Sequence, residues 1–534
     1  MKRFNVTGLC VPHKHYMADT SGKIAEIKKL VENECYFTIN RARQYGKTTT
    51  LYLLKKELQD SHLPVSISFE GLGDDCFASQ EAFCSILVNL IAKSLKFTNA
   101  SNEYIEKWKE NKITNFNLLS SHITEMCEDK KIVLMIDEVD ATSNNRIFLQ
   151  FIGMLRSKYL AREAGMDYTF HSVILAGVYD IRNIKLKMIN EGAYTPTEKE
   201  GKIYNSPWNI AVDFNVDMSL SSADICTMLS EYEKDHNTGM DIAVITDEIH
   251  KSTNGYPFLV SRICQHIDEK FTKNWTINGV QNAINYILQE QNMLFDDLSK
   301  NLESNKELYD FMYDLLILGD RCPFNIDNPV IRLASMYGYI MRVNGNGQNP
   351  SIGVGYAAVS NKIFEMRISN YFISKDKNIS RIESSVCRSL MRDIAKDGRF
   401  DMELCLIKFA EHYKEIYTDT DIEFLERHGR LLFLSFLRPL INGQGFYHIE
   451  SQFTDLRKMD ITIDYGQEQY IVELKIWRGE KYKKEAYKQL LNYMESKNAQ
   501  TAYMLTFDFR KEINKQTQAE WVEIEGRQIF DVMV

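Results

Sequence analysis

Ile132-Val-Leu-Met-Ile136 is apolar at every position and stops at two adjacent carboxylates, Asp137 and Glu138. A strand without a polar face is buried on both sides, which requires covering helices and so implies a parallel sheet. His171-Ser-Val-Ile-Leu-Ala-Gly-Val178 reads the same way and ends at Tyr179-Asp180. Sheets of this kind collect their ligands at the carboxyl ends of the strands, where Asp137, Glu138 and Asp180 fall. The fold expected is therefore α/β.

A second stretch supplies the ligand. Cys35-Tyr-Phe-Thr-Ile-Asn-Arg-Ala-Arg-Gln-Tyr-Gly-Lys-Thr-Thr-Thr50 is a short apolar run, a loop, and the start of an amphipathic helix. Strand, tight turn and helix N-terminus form a phosphate-binding loop, because the first helical turn presents free N–H groups with the helix dipole behind them. Arg41, Ala42, Arg43, Gln44, Tyr45, Gly46, Lys47, Thr48 and Thr49 are the cradle residues expected. Lys47 is placed to reach β- and γ-phosphates, and Thr48 to ligate Mg²⁺ with Asp137. Glu138 is placed to polarise an attacking water. Arg41 stands where the usual pattern has its first glycine, so the turn must form without a left-handed residue there, or form differently.

The totals exclude several classes. At 534 residues the length suggests about three or four domains. A formal charge of −9 argues against a chain that coats nucleic acid along its whole surface, though not against a local basic channel. No apolar run approaches the ~20 residues of a membrane span, and Met1-Lys-Arg-Phe-Asn5 leads into no signal-type segment. Ten cysteines without CxxC pairs fit reduced thiols. The expectation is a cytoplasmic protein with no membrane partner.

In chain order, residues 1–215 are expected to form the nucleotide-binding core, with helices over Glu81–Leu95, Asn117–Glu128 and Asn145–Ala161 and a strand over Pro64–Glu70. Arg156 and Arg162 lie near the end of the Asn145–Ala161 helix; surface salt bridges are expected of Arg156, Arg162 and Arg182, with an arginine finger as their other reading. Tyr16 is expected as a packed aromatic, with base stacking as its other reading. A helical lid follows over 216–300, with helices at Ser221–Glu233, Asp241–Ser252 and, after Asn254-Gly-Tyr-Pro257, Phe258–Glu269. Arg262 lies on this last helix. Glu303–Leu318, Pro329–Met336, Tyr339–Val343 and a Gly345/Gly347 turn suggest a winged-helix unit over 301–375. Arg332 is the one base on its second helix, so packing is expected there and not DNA reading. Ser380–Tyr417 reads as a charged helical connector, assigned to 376–420.

The last segment, 421–534, has a different chemistry. A helix over Asp421–Leu437 and a strand over Gly445–Ser451 precede Lys458-Met-Asp460-Ile-Thr-Ile-Asp464. Gln469-Tyr-Ile-Val-Glu473-Leu-Lys475-Ile-Trp477 is the next strand, Glu480–Glu495 a helix, and Thr501–Phe507 a final strand. Period-two alternation puts Glu473 and Lys475 on one face, where Asp460 meets them across the hairpin. Hard carboxylates bind Mg²⁺ (or Mn²⁺), which polarises a phosphodiester and activates water. Lys475 then orients or deprotonates that water, or stabilises the charged transition state. Glu426 is a further candidate metal ligand, and Gln489 a candidate for positioning water or Lys475. Lys481, Lys483, Lys484 and Lys488 suit a phosphate backbone, but Glu480 and Glu485 partly cancel them, so a solvated helix face is the default.

Taken together, Arg41-Ala-Arg-Gln-Tyr-Gly-Lys-Thr48, Leu134–Asp140, Leu175–Asp180, Gly255–Arg262, Asp460 and Glu473-Leu-Lys-Ile-Trp-Arg-Gly479 resemble the bacterial AAA-like ATPase proteins that carry a C-terminal PD-(D/E)XK nuclease-like domain. The resemblance implies an AAA-like P-loop NTPase with an extra strand in its parallel sheet, a helical lid and winged-helix-like unit, and an αβββαβ restriction-endonuclease-like domain. It implies ATP as cofactor, Mg²⁺ (or Mn²⁺) at both sites, Asp180 as a contact to the γ-phosphate or the lytic water, and Arg262 as a second sensor. In that group an arginine at the position of Arg41 is familiar. Three readings stay open: an ATP-regulated nuclease acting on DNA in preference to RNA, an ATP-driven switch or scaffold whose nuclease-like domain binds without cleaving, and an ATPase acting on protein partners. A homo-oligomer is compatible with each.

Overall fold

The computed structural model describes residues 2–110, 112–142, 146–178, 208–318, 322–344, 355–375, 390, 393–396, 399–416, 426–441, 445–450, 460–466, 468–508 and 518–534. The chain divides into two compact units. The first comprises Met1–His250, Asn254–Gln265 and Met336–Gly338, and the second Lys251–Thr253, His266–Ser335 and Tyr339–Val534.

The first unit is built on four parallel strands, β1 (Tyr36–Asn40), β2 (Leu63–Ser68), β3 (Ile132–Asp137) and β4 (Ser172–Gly177), in the order β1-β4-β3-β2. β4 is the extra strand expected between the loop strand and the acidic strand. Val212 adds a parallel bridge to Phe37 at the outer edge of β1. Every residue of β3 and β4 is buried, as their lack of a polar face requires. Alternate residues feed two cores. Tyr36, Val65, Leu134 and Leu175 pack with α3 (Gln80–Leu95), α5 (Phe116–Cys127) and α6 (Arg146–Glu163). Phe37, Ile39, Met135 and Ile174 pack on the other face with α1 (Ser21–Glu32) and α2 (Lys47–Leu58).

α4 (Asn102–Glu110) was not foreseen from the pattern, yet it buries Trp108 completely. α7 (Ser222–His236) begins at a Ser221/Asp224 capping box. α8 (Ile242–Thr253) is capped by Asp241, and α9 (Pro257–Glu269) starts on proline. The turn between α8 and α9 uses Gly255 at φ +69°, where a Cβ would meet the Leu220 carbonyl oxygen at 2.1 Å. Tyr16 is a packed aromatic: it sits among Phe4 and Tyr232, and its hydroxyl donates to Asp235 at 2.8 Å.

At the amino ends of β2 and β4, the rings of His62 and His171 lie 4.8 Å apart, and neither Nε2 atom has a hydrogen-bond partner. Burial, then His62, pushes His171 down from 6.5 to about 4, with Lys131 and Arg162 lowering it further and Glu34 opposing them. Burial, with Lys131 and Lys28 against Glu32, also lowers His62. The unfolded chain therefore binds more protons than the folded one between pH 6.5 and about 4. Stability present above pH 6.5 falls as the pH drops through that window, by at most about 3 kcal/mol from His171. Thermal midpoints measured across pH 4–7 should show this slope, and His171→Gln should flatten it. An unchanged slope would remove the pair as its source.

The second unit contains α10 (Ile277–Gln289), α11 (Met293–Ser304), α12 (Lys306–Tyr313), α13 (Pro329–Met336) and α14 (Lys362–Lys375), with an antiparallel pair β5 (Ile340–Asn344) and β6 (Gly355–Val359). The single helix expected over Glu303–Leu318 is broken at Asn305, whose side chain caps α12 by accepting from the Leu308 amide. Asp314–Leu318 continues as a π-turn. The Gly345/Gly347 turn lies outside the described residues.

Most of the rest of this unit is a six-stranded sheet with its helices. α15 (Met402–Ile416) and α16 (Glu426–Ile441) precede β7 (Gly445–Glu450), β8 (Asp460–Tyr465), β9 (Glu468–Ile476), α17 (Glu480–Ser496), β10 (Thr501–Phe507), β11 (Gln518–Ile524) and β12 (Arg527–Met533). The spatial order is β11-β12-β10-β9-β8-β7, with β9, β10 and β12 mutually parallel. Thr501–Phe507 is thus not the last strand. β12 pairs beyond it, and β11 forms the edge through a turn at Glu525 and Gly526, both left-handed. The stretch expected as a helical connector is not helical throughout: Ala395–Lys396 pairs antiparallel with Arg399–Phe400, and its helix α15 packs into the sheet domain, where Phe409 contacts Phe433, Phe436 and Phe507 edge-on. No helix among the described residues is long and apolar enough to cross a membrane.

Candidate nucleotide and metal sites

The loop between β1 and α2 turns through two left-handed residues, Gln44 (φ 57°) and Gly46 (φ 81°), and Gly46 caps α2. Arg41 needs no positive φ, which explains why a glycine is dispensable there. Its guanidinium donates to the carbonyls of Asn40 and Val216 at 2.9 Å and lies over the Phe214 ring. Ala42 is buried, whereas Arg43 and Gln44 are exposed. Tyr45 packs edge-on against Tyr256, whose hydroxyl donates to the Arg43 carbonyl. Thr49 accepts a hydrogen bond from the Cys10 amide at 3.2 Å.

Lys47 is 6% exposed, and its Nζ donates to the carbonyls of Arg41 and Ala42, both at 3.0 Å. Burial lowers its pKa, opposed by Glu138, Asp140 and Asp137. Thr48 Oγ1 donates to Asp137 Oδ2 at 2.6 Å, joining the loop helix to the end of β3. A hydroxyl and a carboxylate in contact are hard oxygen donors of the type Mg²⁺ selects. Glu138 follows in a left-handed conformation (φ 54°), a backbone state that a non-glycine residue occupies only at a cost. Burial raises its carboxyl pKa, partly offset by Lys47. The Asp140 carboxylate accepts from the Val178 amide at the end of β4. Sequence reasoning gave no role to Asp140 or Tyr256. For Asp140, its spacing three residues after Asp137 was the available signal.

Arg262 lies on α9, where its guanidinium donates to Gln265 at 2.8 Å. Arg156 donates to Asn209, and Arg162 is held by the carbonyls of Glu34, Phe170 and His171. Asp180 and Arg182 lie outside the described residues.

In the C-terminal sheet, Glu473 and Lys475 are 3% and 4% exposed and form a direct ion pair. Ile461 faces Val472 in the antiparallel register, so Asp460 falls opposite Glu473. Asp460 also faces Glu450 on β7. Glu426 opens α16; the side chains of Asp460 and Glu426 lie outside the described residues. Gln489 is half-buried on α17, while Lys481, Lys484 and Lys488 are exposed, as a solvated face requires.

Residues 11–347 match the family described as AAA-like domain, and residues 405–511 match a domain of unknown function (DUF8371). No curated protein matches the sequence. Among solved structures, the Walker-type ATPase PABY2304 of Pyrococcus abyssi is similar at 10% identity, covering 68% of this chain and 99% of that one with a TM-score of 0.46. The Aeropyrum pernix ORC2 protein is similar at 10% identity, covering 69% and 96% with a TM-score of 0.34. Cdc6p from Pyrobaculum aerophilum is similar at 14% identity, covering 70% and 96% with a TM-score of 0.30.

Proposed function

The chain belongs to the AAA-like domain family, and from that premise we propose that it binds and hydrolyses ATP and that its nucleotide state regulates metal-dependent cleavage of nucleic acid at Asp460, Glu473 and Lys475. The ATPase half is supported by Lys47 poised on two loop carbonyls beside the Thr48–Asp137 contact. Lys47 exchanges those carbonyls for β- and γ-phosphate oxygens, which bind an ammonium more strongly. Thr48 and Asp137 hold Mg²⁺, and Glu138 takes a proton from the attacking water. Asp180 is assigned to the γ-phosphate or the attacking water, and Arg262 is assigned as a second sensor.

The nuclease half rests on one observation: a carboxylate and a lysine buried together on β9, with a second acid at the facing register position. Glu473 and Asp460 carry hard oxygen donors, Glu426 is the further ligand, and Gln489 steadies Lys475 or the water. The divalent ion supplies charge to the scissile phosphate and acidity to its bound water. Lys475 then leaves Glu473 for the phosphate oxygens. DNA is the substrate proposed ahead of RNA.

A second reading has its own support. Glu473 and Lys475 satisfy each other, as a purely structural pair does, which suits a switch or scaffold that binds without cleaving. One assay separates them: full-length protein with duplex DNA or RNA, Mg²⁺ or Mn²⁺, and ATP, ADP or no nucleotide. Cleavage should depend on nucleotide and drop by about 10²-fold or more in Asp460→Ala. Wild-type protein that binds DNA but cuts neither substrate under any condition selects the scaffold. Cleavage indifferent to nucleotide severs the regulatory link.

A further inference from the structure

The sheet face beneath α17 carries polar groups that the Asp460–Glu473–Lys475 set does not use. Register puts Thr506 of β10 beside Lys475, and Asp531 of β12 beside Met504, which itself neighbours Glu473. Alternation places all of these on one face. Two atoms there have no hydrogen-bond partner, Thr506 Oγ1 and Asp531 Oδ1, on side chains 2% and 3% exposed. Leaving such a buried group unpaired is costly, so each one asks for an explanation.

The other oxygen of Asp531 accepts from the Tyr487 hydroxyl at 2.5 Å and pairs with Lys483 Nζ at 2.6 Å. This turns Lys483 inward, unlike its exposed neighbours Lys481, Lys484 and Lys488. Lys475, Lys483, Thr506 and Arg478 line a single cleft, walled by Trp477 and Tyr482. Three cations face it and two acids are paired to lysines, which leaves a positive balance. The buried Thr506 hydroxyl is a donor without an acceptor.

We propose that this cleft is a phosphate subsite, in which Lys483 and the Thr506 hydroxyl bind a backbone phosphate of nucleic acid adjacent to the one at Lys475. Asp531 and Tyr487 are positioning residues that hold Lys483 in the cleft. The subsite deepens the nuclease reading and rests on it for the identity of the molecule that bears the phosphate.

The test is fluorescence anisotropy of a labelled duplex DNA oligonucleotide with full-length protein across a sodium chloride series. Ca²⁺ replaces Mg²⁺ so that the probe stays intact. Lys483→Met should weaken binding about 10-fold and lower the slope of log affinity against log salt by about 0.9. Thr506→Val keeps the shape and removes the hydroxyl; it should cost roughly 3–10-fold with the slope unchanged. Asp531→Asn should weaken binding alone and add nothing in the Lys483→Met background, a coupling that general destabilisation would not produce. Thermal midpoints check that each variant is folded.

Folded Lys483→Met and Thr506→Val proteins that bind with wild-type affinity and slope overturn the subsite, as does wild type that binds no DNA. Wild type that shows the predicted variant effects but never cleaves with Mg²⁺ or Mn²⁺ keeps the subsite and overturns the nuclease reading. Cleavage lost in Asp460→Ala alongside unaffected Lys483→Met binding overturns the subsite alone.

Discussion

Lys47→Ala should abolish nucleotide binding. The side chain is buried, bonds to two loop carbonyls, and stands as the local counter-charge to Glu138, Asp140 and Asp137. Its removal takes away the cation that phosphate oxygens meet and leaves three carboxylates facing the incoming anion. A charged hydrogen bond is worth about 1.5–3 kcal/mol, and the unbalanced acids add repulsion, so the affinity loss expected exceeds 10²-fold. Titration calorimetry with ATP and Mg²⁺ measures it, and Lys47→Arg, which keeps the charge, should lose less. Tight ATP binding by a folded Lys47→Ala protein would overturn the assignment of this loop.

Glu138→Gln should separate binding from turnover. The substitution preserves size and hydrogen-bonding reach while removing the base. Affinity for ATP should persist, and the hydrolysis rate should fall by about 10²–10⁴-fold. Burial holds the Glu138 carboxyl above its ordinary range, so wild-type turnover should climb with pH as that group loses its proton and then level off. The climbing limb should vanish in the Gln variant. A Gln variant that hydrolyses ATP at the wild-type rate would move the base elsewhere.

Much of the first unit was legible because local chemistry and global fold agree there. The all-apolar β3 and β4 announced a doubly covered sheet, and Gly46-Lys47-Thr48 announced a loop opening a helix. Caps such as Ser221 and Asp241 were legible for the same reason: each acts within four residues of itself. What escaped was long-range or faceless. The guanidinium of Arg41 finds its partners at Val216 and Phe214, some 170 positions downstream, so its spacing within the loop carries no trace of them. β11, Gln518-Ala-Glu-Trp-Val-Glu-Ile524, is an exposed edge with no buried alternation to announce it. Its one local signal was the Glu525-Gly526 turn. The Glu473/Lys475 pairing followed from alternation alone, whereas the inward turn of Lys483 depends on Asp531, 48 residues later.

The hydroxyl that Tyr256 donates to the Arg43 carbonyl bears on how the protein is made. The two residues are 213 positions apart, so the contact contributes heavily to the average sequence separation that slows folding. At synthesis rates of about 5–20 residues per second, the loop is exposed for roughly 10–40 seconds before Tyr256 has even been added. Every loop residue from Arg41 to Thr49 is by then long complete. During that interval the Arg43 carbonyl lacks its protein donor. Tyr256 therefore fixes the Arg43 carbonyl only after all four strands of the sheet, which end at Gly177, have been made.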